Sequence, residues 1–423
     1  MKNLILSIFI HIILGLLISN NSSVGTIHAQ IVVAVAIYFS LFDKNTDRTM
    51  PLILYITGAE LLWRGFGANV FWEYGKYSAI LLMAINIFRF GSKKIKNKIG
   101  FLILLLLLPS FVVLSEFKRQ SIAHAMSGPF CLGIAVIFFS NQIINKEKLI
   151  LLLTVLALPI ISLLSIMLIS TLQYGEIDVY AAYIKAYTTA GVGPNQASNI
   201  LGLGVLTFFL LYLVNKENAV IYMTLGLLML FQTIITHSRG GFWNAFLAVS
   251  ICITFLFAEK KVRQKFFLGV SSFCLLLYIF VFPIIDDYSK GSISNRYTDT
   301  DISHRENIIE TELRAFVENP LLGIGPGSSR NFRIENYNSP KHTHTEYTRL
   351  LSEHGLFGIF VILLFLIILK NIIRKNNGLA RSISLSLIFW SLLFMFHSAT
   401  RLAAPAIIFG LSTIHFRFSS KNL

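Results

Sequence analysis

The chain is built from long apolar runs separated by short polar islands, a period far longer than the alternation of strands or the stripe of a surface helix. A membrane-crossing helix needs about 20 mostly apolar residues, with a range of about 17–25. Candidate spans lie near 4–19, 27–43, 50–63, 76–91, 99–115, 127–141, 149–172, 196–214, 218–236, 241–258, 266–285, 355–370, 382–398 and 402–416. The runs at 50–63, 127–141 and 402–416 are short, and read as tilted, re-entrant or truncated helices. The pattern predicts an all-α polytopic membrane protein with about 12–14 transmembrane helices. No internal repeat is evident.

The polar islands carry an orientation. Basic residues cluster at Lys44 and Arg48, at Lys93, Lys94, Lys96 and Lys98, at Lys146 and Lys148, and at Lys216. Further islands are Lys260, Lys261, Arg263 and Lys265, then Arg374, Lys375 and Arg381, and finally Arg417 and Lys421. If every candidate spans, all these islands fall on one side, which the positive-inside rule makes the cytoplasm. The outer face then receives 63–75, 116–126, 173–195, the turn at 237–240, and the one sizeable polar segment, 286–354. Three regions follow: 1–285 as transmembrane helices with short loops, 286–354 as an outer segment, and 355–423 as C-terminal helices.

The outer segment is patterned. Ile308, Ile309, Leu313, Phe316 and Val317 recur at helical spacing over 306–317. Asn319-Pro320 ends that helix, and Gly323-Ile324-Gly325-Pro326-Gly327 breaks the chain. A second short helix over 344–355 carries Tyr347, Leu350 and Leu351 on one side. Two short helices joined by a glycine-rich turn are expected to cap a cavity that opens outward.

Composition supports the membrane reading: 55% of residues are hydrophobic and 13% charged, against roughly 45–50% and about 25% in soluble domains. The net charge of +15 is spread over the loop islands, not gathered on one face as nucleic-acid binding requires. No nucleic-acid partner is expected; the bilayer is. Cys131, Cys252 and Cys274 all sit in apolar runs, offering neither a CxxC zinc spacing nor a disulfide pair. The N-terminal run after Met1-Lys2 lacks a small-x-small cleavage site and reads as a retained first helix.

Candidate chemistry gathers on the outer face. Arg64, Arg119, Arg239, Arg296, Arg305, Arg314, Arg330 and Arg333 defy the inside bias. Arginine there suits an anion at the lipid surface, because its planar fork donates paired hydrogen bonds and stays charged. Ser238-Arg239-Gly240-Gly241 stands at a helix-to-helix junction, where an arginine and helix N-terminal amides suit phosphate; an interfacial arginine snorkelling beside a tight turn suits the same pattern. His342-Thr343-His344-Thr345-Glu346 offers a histidine to take a proton from a hydroxyl, ligand types for a metal, or solvated loop histidines. Gly193-Pro194-Asn195-Gln196 starts a helix, with Asn195 as a cap or as a polar group in the outer cavity. The run at 323–327 lacks a P-loop's GKS/T and follows no strand, so a turn for close helix approach fits it better. There is no G-x-S-x-G, no HExxH, and no evident carboxylate pair for glycoside hydrolysis. Displacement of a diphosphate by a hydroxyl is the chemistry that arginines plus one histidine serve best. A transporter, the rival from another class, would show inverted repeats and midplane charges; neither is evident.

From Arg305 to Gly358 the chain resembles the O-antigen ligase and polymerase superfamily of bacterial membrane proteins. The resemblance is carried by an arginine followed by an amphipathic helix, by Pro320-Leu321-Leu322-Gly323-Ile324-Gly325, by His344 three residues before Tyr347, and by Glu353-His354-Gly355-Leu356-Phe357-Gly358. Ser238-Arg239-Gly240 resembles the family's Ser-Arg-Gly motif, and Asn195 an Asn found after a Pro at an earlier helix start. The family usually has Asn after the histidine; this chain has Thr345. The resemblance implies a GT-C-like membrane glycosyltransferase of the bacterial inner membrane with its active site facing the periplasm. It would move a glycan from an undecaprenyl-diphosphate carrier to an acceptor hydroxyl, with inversion and without metal or cofactor. The acceptor is lipid A-core in ligases and another lipid-linked repeat in polymerases. It further implies that Arg239 and Arg305 hold the diphosphate and that His344 activates the acceptor, with Ser238, Asn195, His342, Tyr347 and Arg119 around the substrates.

Overall fold

The computed structural model describes residues 2–90, 98–114, 117–174, 186–256, 305–338, 343–375 and 378–418, with isolated positions between 257 and 304. The candidate span at 266–285 is described only at isolated positions, and Cys274, Arg296 and His342 lie outside the described residues.

Helix dominates, as expected of backbone in hydrocarbon, where each N–H and C=O must be satisfied within its own segment. The elements are α1 (Lys2–Asn20), α2 (Ser22–Phe42), α3 (Thr49–Gly65), α4 (Tyr74–Phe90), α5 (Ile99–Leu106), α6 (Arg119–Phe139), α7 (Lys146–Tyr174) and α8 (Pro194–Val214). Then come α9 (Ala219–Ile235), α10 (Arg239–Leu256), α11 (Arg305–Glu318), α12 (Ser329–Tyr337), α13 (Glu346–His354), α14 (Leu356–Lys375), α15 (Gly378–Ser398) and α16 (Ala403–Leu411). Among the described residues nine helices are long and apolar enough to cross a membrane. α3 and α4, at 17 residues each, fall just short of that length. The candidate at 127–141 is short only because polar residues mask its first turns; α6 starts at Arg119.

Packing separates a centre from a rim. α6, α7, α8 and α15 are mostly buried, whereas α1, α2 and α14 leave most of their surface for lipid. α10 lies along α15 and α8, and α3 and α1 lie along α7. One end of the bundle collects basic islands: Lys148 pairs with Asp47 at 3.2 Å, and Arg89 donates to the carbonyls of Ser40 and Asp43. There a short parallel bridge joins β1 (Ile143–Ile144) to β2 (His415–Phe416). The opposite end carries α11, α12 and α13.

The candidate at 402–416 is not a full span. α16 has nine residues, all buried, so it extends about 14 Å, half the hydrocarbon thickness. The chain between α15 and α16 dips into the bundle. Thr400 sits beside Gly128, where an added Cβ would stand 1.7 Å from its Oγ1, and Gly410 lies against Ala135 further along α6. Ala399 adopts φ +49 to make the turn. Non-helical backbone at this depth is tolerated only inside protein, and 399–402 are buried or nearly so.

Among the described residues the outer segment holds three short helices, not two. α12 was illegible as a helix because its only large apolar residues are Phe332, Ile334 and Tyr337; its burial runs through Arg333, 1% exposed and paired with Glu312 at 2.6 Å. The glycine turn does bring helices close. Gly323 has φ +70, and a Cβ there would meet the His354 nitrogen at 2.6 Å. Ile324 N–H donates to Ser352 O at 2.9 Å.

Candidate functional site

The turn between α9 and α10 is clasped by the first turn of α8. Ser238 Oγ donates to Asn195 Oδ1 at 2.9 Å, and Ser198 Oγ donates to Ser238 O at 2.8 Å while accepting from Gly241 N at 3.1 Å. The helices cross so tightly that a Cβ on Gly241 would stand 2.0 Å from Ser198 O. This clasp places Arg239, half-buried, at the first position of α10. Asn195 therefore orients the turn, its Oδ1 engaged by Ser238.

His344 lies in the extended run that leads into α13. Thr345 caps that helix, its side chain accepting from Tyr347 N. Threonine caps nearly as well as asparagine, so the departure from the family's Asn keeps the helix start. The preceding residue is pinned on both sides. Thr343 Oγ1 donates to Glu312 Oε1 at 2.6 Å, and Arg401 donates to Thr343 O at 2.6 Å. Behind the run, Tyr347 Oη donates to Leu392 O at 2.9 Å. Thr348 Oγ1 also donates to Glu312, and Arg349 pairs with Glu346.

Both constructions meet the end of α15. Gly240 rests against His397, Tyr347 against Leu392 and Phe396, Glu346 accepts from Thr400 N and Oγ1 at 2.9 Å, and Thr343 is held by Arg401. A further layer of buried charge supports this end from α3 and α4. Lys76 Nζ donates to Glu73 Oε1 at 2.8 Å, Ser127 Oγ at 3.1 Å and Thr400 O at 3.0 Å. Glu60 Oε2 accepts from Ala403 N at 2.6 Å, capping α16, and Arg64 donates to Arg401 O at 3.0 Å while stacking over Trp72.

Not every residue predicted from sequence joins this centre. Arg119 begins α6 and is exposed. Arg305 begins α11, and His342 lies outside the described residues. Arg333 and Arg64, two of the outer arginines read as an anion cluster, are engaged with protein partners instead; Arg314 pairs with Glu318 on the surface. Sequence reasoning passed over Glu60, Lys76, His397 and Arg401. The signal was present: ionisable residues within or at the edge of apolar runs are costly and need partners. Among the described residues no group of three His, Cys, Asp or Glu side chains is placed to hold a metal ion.

Below the glycine turn, His354 is 2% exposed, with Nδ1 2.7 Å from Ser110 Oγ. Burial, then the Arg349 charge, pull its pKa from 6.5 to about 3. The folded state thus refuses a proton that the unfolded chain takes up below 6.5, so this group costs stability as pH falls, by about 2 kcal/mol at pH 5. Buried Glu353, its pKa raised by burial, works in the opposite sense, so a variant comparison is needed. Between pH 7.5 and 5 the melting temperature of the detergent-solubilised protein is expected to fall further than that of His354→Gln; equal falls contradict the assignment.

Residues 224–363 match the family model described as O-antigen ligase, from α9 through the outer helices into α14. No curated protein matches the chain. The matched stretch contains both the Ser238 turn and the His344 run, and it supports the O-antigen ligase and polymerase superfamily for this polytopic all-α membrane protein.

Proposed function

We propose that the protein transfers a glycan from an undecaprenyl-diphosphate carrier to an acceptor hydroxyl on the periplasmic face of the bacterial inner membrane, with lipid A-core as the acceptor. The observation that carries this reading is the meeting of the Arg239 turn and the His344 run at the end of α15, opposite the basic islands that the positive-inside rule puts in the cytoplasm. In this reading 286–354 is the periplasmic catalytic segment, flanked by membrane helices on both sides.

Arg239, helped by Arg305 and by Arg119 at the rim, holds the diphosphate. His344 accepts the proton of the acceptor hydroxyl. The acceptor oxygen bonds to the anomeric carbon as the bond from that carbon to the phosphate oxygen breaks, and undecaprenyl diphosphate leaves with the electron pair. Attack from the far side inverts the anomeric configuration. Fixed guanidinium groups stabilise charge developing on the leaving group without reorganising, which is worth most in a poorly hydrated cleft. Ser238, Asn195 and Tyr347 act by holding these groups in place.

The test is reconstitution of the purified protein with an undecaprenyl-diphosphate glycan and, separately, lipid A-core or a second lipid-linked glycan. A glycosylated lipid A-core is expected. Product only from the lipid-linked glycan makes the protein a polymerase, and transport without a new glycosidic bond overturns the reading. Transfer should persist in EDTA; its loss assigns a metal role to His342 and His344.

A further inference from the structure

The Arg239 turn has a second support, from α15. His397, near the end of α15, brings its ring against Gly240 so closely that a Cβ there would lie 1.9 Å from Nε2. The hydrogen bonds around the ring fix its protonation pattern. Nδ1 stands 3.2 Å from the carbonyl of Leu393, which only accepts, so Nδ1 carries the hydrogen. Asn199 Nδ2 lies 2.6 Å from the carbonyl of Asn195 and 2.9 Å from His397 Nε2, and Asn199 Oδ1 accepts from Asn244 Nδ2. The carbonyl requires the amide nitrogen of Asn199 on that side, so Nε2 faces a donor and must offer its lone pair. A neutral imidazole of one tautomer thus ties α15 to α8 and abuts the first turn of α10.

We propose that His397 is a positioning residue for Arg239: it sets where the Ser238-Arg239-Gly240-Gly241 turn sits, and Gly240 is glycine to admit its ring. The proposal rests on the reading of Arg239 as the donor's diphosphate ligand. Small misplacement of a binding group is costly in a site of this kind, with about 1 Å worth up to 100-fold. His397 needs no contact with substrate for this role.

The experiment compares Gly240→Ala, His397→Ala and the double variant in the reconstituted transfer assay, with His397→Gln and Arg239→Ala alongside. Gly240→Ala forces the ring aside and is expected to raise the donor KM about 10- to 100-fold, with the acceptor KM unchanged. His397→Ala is expected to act in the same direction. In the His397→Ala background the added methyl meets no ring, so Gly240→Ala has no further effect on donor KM, and the melting temperature rises because alanine favours helix over glycine. His397→Gln, which keeps an acceptor for Asn199, is expected to recover much of the donor KM and serves if His397→Ala does not fold. A merely structural role would move melting temperatures and leave the donor KM alone. An undiminished Gly240→Ala effect in the double variant overturns the proposal. So do donor KM values within twofold of wild type for both single variants while Arg239→Ala abolishes transfer. If Arg239→Ala transfers normally, the reading of the site fails, and the inference with it.

Discussion

Replacing His344 with glutamine is expected to lower the rate of glycan transfer by about 10²- to 10⁴-fold, the usual contribution of a general base. The residue suits this role because its neighbours in the chain are rigidly held. Thr343 is fixed through Glu312 and Arg401, Thr345 caps α13, and Tyr347 is anchored to α15. Glutamine preserves size and polarity but takes no proton at neutral pH. The loss should therefore appear in kcat, with donor KM and melting temperature close to wild type. Reconstituted transfer at saturating donor, read beside a thermal melt, makes the check. A rate within tenfold of wild type removes His344 from the proton transfer and turns attention to His342.

Replacing Arg333 with alanine is expected to destabilise the outer segment by about 3–5 kcal/mol, the cost of leaving a buried charge without its partner. Glu312 is 1% exposed and accepts from Arg333 and Thr343 at 2.6 Å and from Thr348. It thereby joins α11, α12 and α13 to the residue before His344. Burial already lifts its carboxyl above the usual carboxylate range, against the pull of the two hydroxyls and of Arg333. Without Arg333 the folded state holds a proton there more readily still. A raised folded pKa means stability is gained as pH falls, so the deficit of Arg333→Ala is expected to be smaller at pH 5 than at pH 8. Limited proteolysis of 305–354 at the two pH values, with a thermal melt, measures both parts. Replacing both partners, as Glu312→Gln with Arg333→Met, is expected to restore much of the stability, because the uncompensated carboxylate is gone. A deficit that grows toward pH 5 contradicts this account.

The two predictions rest on different kinds of legibility. His344 and Arg239 stood out in sequence because each interrupts a pattern: a histidine before a helix start, an arginine at a junction between apolar runs. Arg333 was read only as one of several outward arginines. Nothing within nine residues of helix tells whether such an arginine faces solvent or a carboxylate. Its partner Glu312 lies 21 positions away, and burial of the pair shows only when α11 and α12 pack.

Sequence alone determined the membrane class, most span positions and two of the short helices in 286–354. These follow from transfer of side chains from water to an apolar medium, a local property that a window of residues reports. Tertiary structure decided what that transfer does not distinguish. α7 and α14 are equally apolar, yet the first is mostly buried in protein and the second mostly faces lipid. Lipid tails and packed side chains are alike as apolar surroundings. Charges within or beside the apolar runs find partners far along the chain: Arg64 reaches Arg401, and Lys76, besides its neighbour Glu73, reaches Thr400. The start of α16 depends on the same kind of distant partner, since buried Glu60 accepts from Ala403 N there.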